Sequence, residues 1–131
     1  MGARAKRPLD ARESVAEVIK GLLQVLRIHE TMLAAILRVA VRTLPNWKEQ
    51  TNLENLAGKG RRLVALDFVV KEARKEGIPG NQILNLLDDP FQPERDDSGC
   101  ILNLIIQDKL DAQTFNPLVY KQIRDFKKQN L

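Results

Sequence analysis

The chain carries one cysteine, one histidine, one tryptophan and one tyrosine, and only 5% of its 131 residues are aromatic. The lone Cys100 cannot close an internal disulfide. With His29 as the only imidazole, no Cys/His zinc site can be assembled either. No stretch approaches the roughly eighteen uninterrupted apolar residues that a membrane-spanning helix requires, so no membrane span is expected. The charged segment 1–8 is not followed by the apolar core of a secretory signal, and Lys6 stands where a myristoylation signal opening at Gly2 wants Ser or Thr. These features predict an intracellular protein, cytoplasmic or nuclear, in a reducing compartment.

The inventory for catalysis is equally short. His29 lies among the apolar positions of a predicted helix, and spacing brings no Ser or Cys nucleophile beside it. A buried, hydrogen-bonded imidazole is the expectation there. Asp88, Asp89, Glu94, Asp96 and Asp97 lack the ordered ligand spacing and turn glycine of a calcium loop, and read as a solvated acidic loop. Cys100 has no partner thiol and is expected to be structural. The sequence therefore predicts no catalytic residue, metal or cofactor, and a protein that is not an enzyme.

What the chain does have is helical patterning, with 44% apolar residues that are mainly Leu, Ile, Val and Ala. From Asp10 to Leu44 apolar residues recur as Val15, Val18, Ile19, Leu22, Leu26, Met32, Leu33, Ile36, Leu37, Ala40 and Leu44, a helical period. Asp10 with Glu13, or Ser14 with Glu17, can form the N-terminal capping box, and Pro45 is the predicted end. Unbroken, this helix would be about 50 Å long at 1.5 Å per residue, so it either breaks near His29 or projects toward a partner.

Beyond a connector at 45–50, Thr51 and Glu54 predict a short helix ending at Gly58. A longer one runs from about Gly60 to Glu76, with Leu63, Leu66, Val69, Val70 and Ala73 inward. A turn at 77–80 leads to a helix capped by Asn81, and a loop at 89–98 to a helix capped by Ser98. Asn116-Pro117 opens the last helix. The fold class is all-α: a compact bundle of five to seven helices, with one long N-terminal helix or kinked helix pair. Residues 1–9 form a basic arm and 10–131 a single helical domain.

The charge is unevenly distributed. Residues 1–62 hold 12 basic against 6 acidic side chains, and residues 63–111 hold 5 against 10. On a helical wheel Lys20, Gln24, Arg27, Thr31, Arg38 and Arg42 fall within a stripe of about 60° that contains no acid. Such a row can track phosphates and release their counterions. Lys59, Arg61 and Arg62, flanked by Gly58 and Gly60 at a helix start, suggest a phosphate clamp, although the Walker spacing is missing.

Ala73, Gly77, Ile78, Ile83 and Leu86 resemble a helix-turn-helix template. Asp88 and Asp89 at the end of its prospective recognition helix would repel phosphate. The aromatics Trp47, Phe91, Phe115 and Tyr120 are scattered and expected to be packed, so no stacking platform for single strands is foreseen.

Two functions are compatible with these residues. The first is a non-enzymatic, sequence-tolerant nucleic-acid-binding protein, for DNA or RNA, contacting phosphates through Arg4, Lys6, Arg7, Lys20, Arg27, Arg38, Arg42, Lys59, Arg61 and Arg62. The second is a self-assembly or protein-interaction module that pairs the apolar face of residues 14–44 with a second copy or a partner protein. Val18, Leu22, Val25, Met32, Ile36 and Val39 lie on that face, and several of them fit a heptad.

Overall fold

A computed structural model describes residues 14–49, 60–92, 94, 95 and 98–130. Among these, seven α-helices follow one another without a strand: α1 (Val15–Leu26), α2 (Glu30–Leu37), α3 (Thr43–Lys48), α4 (Arg61–Lys75), α5 (Ile83–Asp88), α6 (Ile101–Ile106) and α7 (Ala112–Asn130). The chain is thus an all-α helical bundle, and none of these helices is long and apolar enough to cross a membrane.

α1 begins at the second of the two foreseen capping boxes. Glu17 N donates to Ser14 Oγ at 3.2 Å, and Ser14 N donates to Glu17 Oε1 at 3.1 Å. The Asp10–Glu13 alternative, the 51–58 helix and the basic arm at 1–9 lie outside the described residues. Val15, Val18, Ile19, Leu22 and Leu26 form the buried stripe of α1.

The N-terminal helix does break near His29, and it breaks a second time. Arg27 (φ 57°, ψ 48°) closes α1 in the left-handed conformation, and Arg38 (φ 62°, ψ 43°) closes α2 in the same way. A side chain in that region costs about 1–2 kcal/mol. The two turns allow α2 to bury Leu33, Ala34, Ile36 and Leu37 in the common core. Each of the three larger side chains contributes about 1.5–3 kcal/mol when fully buried, so burial outweighs the backbone cost. Pro45 does not end the helix as expected. It lies in the first turn of α3, where a missing N–H leaves no bond unmade, and α3 buries Leu44 and Trp47.

α4 occupies the centre and touches α1, α2, α6 and α7. Its expected inward set, Leu63, Leu66, Val69, Val70 and Ala73, is buried, together with Ala65 and Asp67. Asp67 is held by Lys71 Nζ at 3.0 Å. Gly77, at φ 88°, supplies the left-handed closing residue, and Ile78 N bonds back to Ala73 O at 3.0 Å. A single 3-10 turn at Gly80–Gln82, preceded by Pro79, then feeds α5, whose capping position is held by Gln82 and not by the expected Asn81.

Two other helix starts differ from the sequence expectation. Ser98 does not cap α6. Its hydroxyl accepts from Gln92 N at 3.0 Å and closes the preceding loop, while extended Cys100 stands before α6. α7 begins at Ala112, five residues before Pro117, because Asp111 O accepts from Thr114 N and Phe115 N at 2.9 and 2.7 Å. Phe115, Val119, Ile123 and Phe126 face the core. The buried Gln122 ties α7 to the loop, donating through Nε2 to Asp89 O at 2.7 Å.

Candidate functional site

Of the ten cations singled out in the sequence, Arg4, Lys6, Arg7 and Lys59 lie outside the described residues. The breaks at Arg27 and Arg38 divide the predicted straight stripe, so Lys20 and Gln24 share a face of α1, Arg27 stands at its left-handed close, and Arg38 and Arg42 belong to later turns. Lys20, Arg27, Arg38 and Arg42 are all exposed, and none has an acidic partner among the described residues.

Arg61 and Arg62 are engaged within the fold. The Arg62 guanidinium donates from Nε to Ile105 O at 3.0 Å and from Nη2 to Ile106 O at 3.1 Å, covering the last carbonyls of α6. Arg61 lies 3.6 Å from Asp108. The glycine-flanked clamp is therefore, at Arg62, a cap for a helix more than forty residues away. A sequence motif read as local has a distant structural partner.

Other cations have partners as well. Lys48 meets Glu30 at 2.9 Å, Lys75 meets Glu72 at 3.2 Å, Lys121 meets Asp125 at 2.8 Å and Lys127 meets Glu76 at 3.2 Å. The Lys121 ammonium holds the Asp125 carboxyl below its ordinary value. Nearby, partial burial and the charges of Asp125 and Asp88 raise that of Asp89. Arg74, in the last turn of α4, is exposed and has no such partner among the described residues. It belongs to the stretch of sequence with an acidic excess, which concealed it.

Arg74 and Arg27 line one notch of about 380 Å³ with Gln24, Val25, Pro79, Gly80 and Asn81. A larger groove of about 810 Å³ separates α4 from the first half of α7. There Phe68 meets Tyr120 edge-on at 5.9 Å and Phe115 at 6.5 Å. Tyr120 is 44% exposed and Val64 38%, so Tyr120 is not packed away as its scatter in the sequence suggested. Trp47 and Phe115 are buried as expected.

The heptad face is divided in the same way. Val18, Leu22 and Ile36 belong to the chain's own core, Val25 and Val39 are half-buried, and Met32 is 41% exposed. With the helix broken between Val25 and Met32, these six do not form one continuous seam. His29, expected to be buried, is exposed at the start of α2, and its side chain makes no capping bond. Cys100 is buried and lies 3.3 Å from Asn103 Oδ1. No cluster of His, Cys, Asp and Glu among the described residues is arranged to hold a metal ion.

The helix-turn-helix positions Ala73, Ile78, Ile83 and Leu86 are buried around Gly77, yet α5 is six residues long and exposes Asn85 and Asp88. Comparison with known proteins returns no matching family model, no similar curated protein and no similar solved structure.

Proposed function

We propose that this chain is a non-enzymatic nucleic-acid-binding protein that contacts backbone phosphates, tolerant of sequence, through Lys20, Arg27, Arg38, Arg42 and Arg74. The observation that carries this reading is the division of its cations. Lys48, Arg61, Lys71, Lys75, Lys121 and Lys127 are matched to carboxylates, whereas these five, like Lys109, Arg124 and Lys128, are exposed and in no ion pair among the described residues. Between residues 18 and 48 the only acid is Glu30, and Lys48 neutralises it.

A surface of this kind gains affinity by displacing condensed counterions, and its phosphate contacts carry no sequence information. Fluorescence anisotropy with a labelled duplex of about 20 base pairs, and with its single strand, tests this. Micromolar binding to the duplex should weaken steeply between roughly 50 and 200 mM salt, with a log–log slope of about −3.6 to −4.5 for four to five phosphate contacts. Absence of binding to both forms at the lowest salt refutes the reading.

A further inference from the structure

Arg27 and Arg74 are 47 residues apart in the chain, yet they line the same notch between the end of α1 and the turn into α5. No carboxylate of the described residues lines it. In the adjoining groove that Arg74 also borders, the two acids of the lining are occupied, Glu17 in the Ser14 capping box and Asp67 with Lys71. Two arginines thus border one small space, and no acidic side chain among the described residues borders it with them.

The notch is also built to a close tolerance. A Cβ at Gly80 would lie 3.1 Å from Val25 O, 3.2 Å from Val25 Cγ1 and 3.6 Å from Arg74 Nη1. Glycine lets the turn close against α1 with the Arg74 side chain beside it. Arg27 is directed from a left-handed residue, a backbone position that side chains disfavour.

We infer that this notch is a phosphate site in which Arg27 and Arg74 together hold one phosphate of a nucleic-acid backbone, with the side-chain amides of Gln24 and Asn81 as further donors. The planar fork of guanidinium matches phosphate oxygens two at a time, and a shared phosphate relieves the repulsion between the arginines. The inference rests on the nucleic-acid reading and extends it to a defined pair of side chains.

The test is a double-mutant cycle on duplex affinity with Arg27→Gly and Arg74→Gln, glycine being chosen because it accepts the left-handed conformation. Arg38→Gly is the control: an exposed left-handed arginine that does not line the notch. Each notch variant should weaken binding about three- to tenfold, and the pair by clearly less than the product, because both act on one phosphate. The paired variant should lower the salt slope by about one. Arg27→Gly with Arg38→Gly should multiply.

In the wild type, the side-chain Nε–H signals of Arg27 and Arg74 should shift on adding duplex while that of Arg62 stays in place, a readout independent of how any variant folds. Multiplying effects for Arg27 and Arg74, or unshifted signals, overturn the notch while leaving duplex binding standing. Binding to phosphatidylglycerol vesicles as tight as to duplex overturns it in favour of a lipid surface. A wild type that binds no duplex overturns both readings.

Discussion

Replacing Arg62 by alanine removes three donor contacts from the end of α6: Nε to Ile105 O at 3.0 Å, Nε to Ile106 O at 3.2 Å and Nη2 to Ile106 O at 3.1 Å. α6 is only six residues long, so its terminal carbonyls are a large share of its unsatisfied backbone groups. Bonds from a charged donor are worth about 1.5–3 kcal/mol; Ile105 O keeps its bond from Asp108 N at 3.1 Å, so the penalty for an unmatched acceptor falls on Ile106 O. Arg62 is half-buried, which allows water to recover part of this, so a net loss of about 2 kcal/mol is expected. For a chain of this length that corresponds to a fall in Tm of about 8 °C.

Arg61→Ala, breaking a 3.6 Å ion pair between exposed and half-exposed groups, should cost no more than about 0.5 kcal/mol. Arg62→Lys keeps the charge but loses the fork, and should fall between the two. Urea titration followed by circular dichroism measures all three. If Arg62→Ala matches the wild type within about 0.5 kcal/mol while weakening duplex binding, Arg62 is a phosphate contact and the capping argument is refuted.

Gly80→Ala places a methyl group 3.1 Å from Val25 O, and overpacking should outweigh the gain in unfolded-chain rigidity, lowering stability by about 1 kcal/mol; an unchanged or higher Tm refutes this. Asp89→Asn tests the acidic cluster. Because the folded carboxyl titrates above its ordinary 3.8, its ionised form opposes folding, so the amide should raise Tm at neutral pH. That advantage should vanish as pH falls through the raised value, where the wild-type group is protonated. A gain independent of pH, read from melting curves across the acid range, refutes the electrostatic cause.

Much of the fold is legible wherever the signal is local. The Ser14–Glu17 box, the buried period of α4 and the glycine turn at 77 are each set by residues within a few positions of one another. Hydrogen bonds and helical spacing therefore mark them in the sequence. Helical periodicity likewise indicated the all-α class, and the lack of long apolar runs agrees with the absence of a membrane-spanning helix among the described residues.

The breaks at Arg27 and Arg38 carry no such mark, because arginine is a good helix former and neither position has glycine or asparagine to signal a left-handed close. They exist because Leu33, Ile36 and Leu37 gain more from the shared core than the backbone loses. The candidate site was decided by the same distant forces. Periodicity alone assembled Lys20 through Arg42 into one stripe, and the flanking glycines at a helix start made Arg62 part of a phosphate clamp. Tertiary packing instead turned Arg62 onto the carbonyls of α6 and brought Arg74, from an acidic stretch, beside Arg27. A charge's neighbours along the chain set its helix face, but which carboxylate neutralises it depends on contacts tens of residues away, and only the folded chain makes those.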